Sequence, residues 1–161
     1  MAGAAGWLAL NPVEREDYRK LGCLEAEVGG PGIVRRLVWR IKSGDRSRAV
    51  DLAGGNLNAI TAAVVFEAAR SGDGVAISVV RDTAKYIGMA VANVVTILDP
   101  EVVVLGGAIA EAGDLLLEPT RVEMARRVPP AVLPHVSVLT ATLGDAGPAV
   151  GAARAALLAP R

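Results

Sequence analysis

Cysteine and aromatic residues are the scarcest components of this chain. Its 161 residues include a single cysteine, Cys23, together with one Phe, two Tyr and two Trp. One cysteine excludes an internal disulfide framework and is typical of a reducing compartment. With so few rings, the core has to be assembled from aliphatic side chains, which a single domain of this length can bury in quantity.

An excess of charge of one sign and a long apolar run are also missing. Basic and acidic residues number 17 each, so the total charge indicates neither a nucleic acid nor a membrane surface as partner. The longest apolar run, residues 87–98, is interrupted by Asn93 and is too short to cross a bilayer. Residues 1–10 are apolar but lack the basic leader of a signal peptide. We therefore expect one soluble, cytoplasmic domain.

The segment from Leu98 to Ala110, LDPEVVVLGGAIA, carries the most information. Pro100 ends a helical pattern, because proline lacks the N–H that a helix interior needs. The apolar run Val102–Leu105 predicts a strand covered on both faces. Gly106 and Gly107 then allow a sharp turn and a close backbone approach at the start of the next helix. This arrangement is typical of a nucleotide-facing loop, but it also joins ordinary α/β units that bind no ligand.

The spacing of apolar residues predicts a helix-rich α/β fold. Helices are expected after Pro31-Gly32, from Asn56 to Ser71-Gly72, from an N-cap at Asp73 to Leu98, around Glu118 to Val128, and after Gly144-Asp145. Residues 44–55 are interpreted as a polar connection. Asp145 is expected to cap the last helix, whose Gly-Ala-Ala surface should pack closely against a neighbour.

Only two strands are firmly predicted, at residues 102–105 and 136–142, with a possible third at residues 7–10. Domains of this class usually carry more strands, and so small a sheet leaves edges exposed. The chain therefore resembles part of a larger sheet. We expect a second copy of the chain, or swapped strands, to cover the edge at residues 102–105 or 136–143.

Five motifs in order are similar to the ROK family of bacterial sugar kinases and sugar-responsive repressors, specifically to its C-terminal half. They are GCLEA at 22–26, the helix from Asn58 through Asp73, KYIG at 85–88, the segment 98–110, and LGDAG at 143–147 followed by GAA at 151–153. The resemblance covers nearly the whole chain. It implies one domain, residues 1–161, with the fold of the C-terminal lobe of an actin-like, ribonuclease-H-like ATPase, truncated and with a small, mainly parallel sheet.

Members of this family hold a sugar and ATP between two lobes. The resemblance implies that Glu25 contacts the sugar, that Gly106, Gly107 and Ala108 face the nucleotide, and that ATP with magnesium is a possible cofactor. It also implies a catalytic Asp and glycine-rich hairpins of the DxGxT and GTG kind, which phosphoryl transfer needs for positioning. These 161 residues contain no such parts, so we expect an absent N-terminal lobe and no catalytic residue in this chain.

The family's sugar and zinc positions are altered as well. Its Gly-Glu-x-Gly-His segment falls on residues 3–7, where Ala4 and Trp7 replace the Glu and the His. Its zinc motif aligns with residues 16–23, where Glu16 and Tyr18 replace two of the three cysteines. Because a structural zinc takes four ligands, neither zinc nor another metal is expected here. Cys23 is then a small buried hydrophobic residue.

Two further features have plain interpretations. His135, the only histidine, follows Pro134 and is interpreted as a loop residue rather than a catalytic one. A local basic run is interpreted as a solvated helix face, with phosphate or nucleic-acid contact as the alternative; it comprises Arg35, Arg36, Arg40, Lys42, Arg46 and Arg48.

Three functions stay open. The first is a non-catalytic ROK module, a sugar-sensing regulator or kinase remnant that dimerises and binds sugar or nucleotide weakly. The second is an ATP-dependent hexose kinase whose other lobe comes from an upstream segment or another chain. The third is a purely structural dimerisation domain. The expected partner is a second copy of the chain or the missing lobe. Nucleic acid would be bound only through an absent N-terminal domain.

Overall fold

A computed structural model describes residues 3–107 and 111–158. The helices and strands are α1 (Glu16–Leu21), α2 (Cys23–Val28), α3 (Gly30–Lys42), α4 (Arg48–Leu52), α5 (Ala62–Arg70), α6 (Gly74–Leu98), β1 (Val102–Leu105), α7 (Gly113–Ala125), β2 (Ser137–Thr140) and α8 (Gly147–Leu158). Short 3-10 turns lie at Ala5–Trp7, Leu57–Ala59, Leu133–His135 and Gly144–Ala146.

Helix α6 is the centre of the core, as its long apolar stripe predicts. It begins where the Asp73 carboxylate accepts a hydrogen bond from the Ala76 N–H at 2.7 Å. It ends at Asp99, whose φ of +46° places it in the left-handed region just before Pro100. At Gly88 it approaches α7 so closely that an added Cβ would lie 2.6 Å from the Glu123 Cβ. Helices α2, α3, α5 and α7 pack against α6, and the core between them is mostly aliphatic.

The sheet is small and parallel, as predicted. β1 pairs with β2 in the register Val103 to Val138, and the Trp7–Leu10 segment adds no third strand because a 3-10 turn at Ala5–Trp7 folds it against α2. The prediction that both faces of β1 are covered is wrong. Its odd-numbered side chains rest on the core, whereas Val102 and Val104 are 50% and 58% exposed. One face of β1 is therefore open in the described part of the chain.

The two edges of the sheet differ. β2 bonds to β1 through its Ser137 N–H to the Glu101 carbonyl and through the Ala141 N–H to the Leu105 carbonyl, each at 2.8 Å. In a parallel pair this leaves the backbone groups of Val102 and Val104 directed to the other side of β1, where no described strand lies. The corresponding edge of β2 is blocked, because the Arg121 guanidinium donates to the Val138 carbonyl at 2.6 and 3.0 Å. The open edge is that of β1.

Several predicted boundaries are corrected by local capping. The polar connection at residues 44–55 contains α4, which starts where the Ser47 hydroxyl accepts from the Ala49 N–H at 3.2 Å. The helix predicted from Asn56 begins only at Ala62, because Thr61 is extended and its hydroxyl accepts from the Val64 N–H. Helix α7 begins earlier than Glu118, at Gly113, and accommodates Pro119.

Helix α8 forms as predicted but has no buried residue. The expected close packing of its Gly-Ala-Ala surface is therefore wrong in the described structure, where residues 148–158 are exposed. The side chain of Asp145, its predicted cap, lies outside what the structure describes. Leu157 and Leu158 are among the most exposed apolar side chains of the chain.

Among the residues described, no helix combines the length and the apolar character that crossing a membrane requires.

Candidate functional site

Helix α2 carries the predicted sugar contact, Glu25. The helix starts at Gly22, whose φ of +91° and contact with the Gly6 carbonyl leave no room for a side chain: an added Cβ would lie 2.3 Å from that oxygen. Glu25 follows on the exposed side of α2, with its Oε1 2.6 Å from where a Cβ on Gly29 would lie. The absence of a side chain at Gly29 therefore lets the exposed Glu25 carboxylate lie close to the backbone, where it can accept hydrogen bonds.

The predicted nucleotide loop lies at the carboxyl end of β1. Gly107 has a φ of +66°, and among the described residues no atom lies within 4 Å of the place where its Cβ would be. A backbone without a side chain is what the close approach of a phosphate group requires, so the glycine turn remains the candidate for the predicted nucleotide contact. Ala108, the third predicted contact, lies outside the described residues.

A cavity of about 260 Å³ connects these two regions. One wall is formed by Ala5 and by Leu24, the neighbour of Glu25 on α2; the other is β1 with Gly106. Glu25 itself does not line this cavity. The structure thus brings the α2 segment and the glycine loop to one cleft, although it does not place Glu25 against Gly106.

Two residues beyond Glu25, Glu27 points into the protein and is only 2% exposed. Its carboxylate accepts a hydrogen bond from the Tyr18 hydroxyl at 2.6 Å and from the guanidinium groups of Arg15 and Arg36 at 2.8 and 2.7 Å. Arg36 also donates to the Glu27 carbonyl. A buried carboxylate is tolerated only when it is paired and hydrogen-bonded in this way.

Asp17 extends the group by pairing with Arg15 at 2.6 Å and with Arg35 at 2.8 Å. We call these residues the Glu27 cluster: Arg15, Asp17, Tyr18, Glu27, Arg35 and Arg36. Burial, followed by the hydrogen bond to Glu27, raises the pKa of Tyr18 far above its usual range. Burial lowers the pKa of Arg15, but the hydrogen bond to Asp17 and the nearby Tyr18, Asp17 and Glu27 together outweigh it, so the net shift is upward.

The donor set does not fit the zinc that the resemblance associates with residues 16–23. Tyr18 gives its hydroxyl to Glu27, Glu16 pairs with Lys20 at 2.7 Å, and the buried Cys23 sulfur accepts the Leu10 N–H at 3.5 Å. The described residues contain no group of three side chains suited to a metal ion. The predicted role of Cys23 as a buried hydrophobic residue is confirmed. Tyr18, which stands at a cysteine position of the motif, is part of the Glu27 cluster instead.

The basic run is only partly a solvated face. Arg35 and Arg36 belong to the Glu27 cluster and connect α3 to α1 and α2. Arg40 pairs with Asp45, whereas Lys42, Arg46 and Arg48 are exposed. The interpretation as a solvated face is therefore corrected for Arg35 and Arg36 and holds for the three exposed residues. His135 lies exposed in a 3-10 turn, as expected of a loop residue.

Sequence reasoning missed the Glu27 cluster. One signal was available, because Glu27 shares the buried side of α2 with Cys23 and Ala26, where a lone carboxylate demands a partner. Which cations supply it depends on how the N-terminal segment and α3 pack against α2, and the sequence does not reveal that.

The helical layer around α6, the parallel strand pair and the glycine turn after β1 define part of an actin-like ATPase fold of the sugar-kinase kind. The chain belongs to the ROK family, whose sequence profile matches residues 1–159. It is 36% identical over 151 residues to a glucokinase from Halalkalibacterium halodurans, covering 91% of this chain and 45% of that protein. It is 28% identical over 116 residues to the Escherichia coli transcriptional regulator NagC, covering 71% of this chain and 27% of the regulator.

Solved structures agree with this assignment. The ROK glucokinase from Streptomyces griseus, in complex with glucose and AMPPNP, superposes with a TM-score of 0.75 at 32% identity, covering 83% of this chain and 44% of that one. A ROK family transcriptional regulator, a homologue of the E. coli MLC protein, shares the fold with a TM-score of 0.73 at 23% identity, over 84% and 33% of the two chains. The chain spans less than half the length of the relatives it matches.

Proposed function

We propose that this chain is a sugar-sensing ROK module that binds sugar, and nucleotide more weakly, without transferring phosphate by itself. The observation that carries the proposal is the pairing of two features on α2 and β1. Glu25 is an exposed carboxylate beside Gly29, on the helix whose Leu24 lines the cleft, and Gly106, the first residue of the glycine turn, lines the same cleft from β1. The 161 residues contain neither a DxGxT nor a GTG hairpin.

In this proposal the Glu25 carboxylate accepts hydrogen bonds from sugar hydroxyls, and helix α2 fixes its position. Charged acceptors give such bonds about twice the strength of neutral ones. Gly106 and Gly107 let the backbone approach the phosphates. ATP with magnesium, when bound, supplies the phosphoryl group and the metal that spreads its charge. A base positioned on the sugar hydroxyl is the part these residues do not provide.

The experiment is a thermal-shift titration of the purified chain with the sugars of its relatives: glucose, xylose and N-acetylglucosamine. A ligand that binds only the folded state raises the melting temperature by mass action. We expect one of the three to do so in the wild type and in Glu101→Gln, but not in Glu25→Gln. Glu101 is the matched control because it is an exposed glutamate next to β1. Equal shifts in the two variants, or no shift with any sugar, would contradict the proposal.

A second candidate is a sugar kinase completed by the remainder of the ROK fold from another polypeptide. The open edge of β1 and the uncovered α8 favour it, since both are surfaces that further strands and helices could cover. Its test is co-expression with the portion of the S. griseus glucokinase that this chain does not match. Glucose-dependent ATP consumption by the complex, absent from each piece alone, would support the kinase over the sensor.

A further inference from the structure

A larger cavity, of about 630 Å³, lies between α3 and α6. We call it the α3–α6 groove. It shares no lining residue with the cleft beside Gly106, and Glu27, not Glu25, is the α2 side chain that reaches it. Neither the sugar contact nor the glycine turn accounts for this groove.

The groove has an aromatic side. Trp39 projects from α3 and is 66% exposed, although Leu37 two residues earlier is fully buried. Tyr86 is half-buried on α6, and the Asn11 side-chain amide donates to its hydroxyl at 3.3 Å. These are two of the five aromatic residues in the whole chain. Rigid rings of this kind supply large contact areas at little cost in conformational entropy.

The groove also has a cationic side. Arg15, Arg35, Arg36 and Lys85 line it, against the carboxylates of Glu27 and Asp82 and the adjacent Asp17, which leaves four positive and three negative groups. No other charged side chain of the described residues lines the groove.

The guanidinium groups are held in place by their neighbours, whereas the lysine is more mobile. Arg15 and Arg35 share Asp17. Lys85 pairs with Asp82 at 3.0 Å, but its side chain is 57% exposed. The Nε of Arg36 is buried with no hydrogen-bond partner among the described residues. Guanidinium groups fixed by neighbours lose little entropy when they bind an anion, and their geometry suits carboxylate or phosphate.

We propose that the α3–α6 groove binds a small ligand with one anionic group on a flat ring. The anion lies at Arg15, Arg35 and Lys85, and the ring lies against Trp39 and Tyr86. A volume of 630 Å³ is within the usual range for small-molecule sites, which combine apolar surface with a few fixed polar groups. The groove is separate from Glu25 and Gly106, so its test does not depend on whether the chain binds a sugar.

Trp39 serves as the reporter in the test. In Trp7→Phe it is the only tryptophan, so its fluorescence reports this groove alone. We titrate adenosine monophosphate and benzoate, which combine a ring with a phosphate or a carboxylate, and compare them with adenosine and inorganic phosphate. We expect at least one ring-bearing anion to give a saturable change that weakens with added salt, and neither adenosine nor inorganic phosphate to do so.

The variants Lys85→Ala and Arg35→Ala, each made in the Trp7→Phe background, should weaken binding about tenfold, the effect of losing one charge-assisted hydrogen bond. Arg70→Ala is the matched control, because Arg70 pairs with Asp114 at 2.8 Å on another face. Thermal melts followed by circular dichroism show whether each variant is folded. Only a variant that melts at the same temperature as Arg70→Ala is used to compare ligand affinities.

Three results would overturn the proposal: no saturable change with any probe, equal affinity in the lysine, arginine and control variants, or a Trp39 signal that depends on protein concentration alone. The last would place a second copy of the chain in the groove.

Discussion

Two glutamates two positions apart on α2 have opposite environments. Glu25 is exposed, whereas Glu27 is buried and bonded by Tyr18, Arg15 and Arg36. Because Glu27 fixes α2 against α1 and α3, it also fixes the position of Glu25 on the exposed side of α2. The proposed sugar contact would therefore be supported by an ion-paired cluster at the place where the resemblance puts a metal.

Replacing Glu27 by Ala should cost about 3–5 kcal/mol of unfolding free energy, because it leaves the buried end of Arg36 without its counter-charge. Glu25→Ala, an exposed substitution on the same helix, should change stability by no more than about 0.5 kcal/mol. Urea unfolding of the two variants measures both values. Similar costs for the two glutamates would contradict the structural role assigned to the Glu27 cluster.

The raised pKa of Tyr18 makes stability depend on alkaline pH. Above about pH 10, the ordinary pKa of tyrosine, the unfolded chain loses the phenolic proton while the folded chain keeps it, so unfolding becomes more favourable as pH rises. Below that pH the contribution of Tyr18 is fully present. We expect the melting temperature of Tyr18→Phe to fall less between pH 9 and 11 than that of the wild type. Parallel melting curves for the two proteins over this range would contradict the assignment.

The packing of α6 against α7 depends on a close contact at Gly88. An alanine at Gly88 would place its Cβ 2.6 Å from the Glu123 Cβ and 2.9 Å from the Thr120 carbonyl, so α7 would have to move. We expect Gly88→Ala to cost about 1–3 kcal/mol. Gly74→Ala, in the first turn of the same helix with nothing within 4 Å, should be neutral or stabilise by up to about 1 kcal/mol. Chemical denaturation of the pair tests this, and equal stability would show that α6 and α7 are not in tight contact.

The capping residues explain which elements could be predicted from the sequence. Asp73 was identified as the N-cap of α6 because a long apolar stripe follows it. Asn56 was mistaken for the start of α5: its side chain does cap, accepting from the Asn58 N–H, but only a 3-10 turn follows. Two good capping residues, Asn56 and Thr61, compete within six positions, and their local sequence does not rank them.

Some residues of the candidate site could also be predicted from the sequence, and others could not. Glu25, Gly106 and Gly107 follow from motifs that are continuous in the sequence. The Glu27 cluster joins residues from three segments of the chain, and the open face of β1 depends on what packs over it. A continuous apolar strand such as Val102–Leu105 predicts cover on both faces, but the described chain supplies it on one.

That uncovered strand governs how the whole molecule should associate. Arg121 closes the edge of β2, so β1 is the edge that another strand can extend. We expect the purified chain to dimerise through β1, and Val104→Lys to shift it toward monomer. Sedimentation velocity measures the shift. The control is Ile97→Lys, which alters an even more exposed apolar residue on α6, away from the strand edge. A wild-type monomer at all concentrations would contradict pairing through this edge.

We propose that these residues form one wall of a sugar cleft and lack the groups that phosphoryl transfer needs. The most direct measurement follows sugar binding by calorimetry and ATP consumption by a coupled assay on the same preparation, with glucose, xylose and N-acetylglucosamine each in turn. We predict heat of binding with one sugar, its loss in Glu25→Gln, and no sugar-dependent ATP consumption. Sugar phosphate formed by the chain alone would contradict the account.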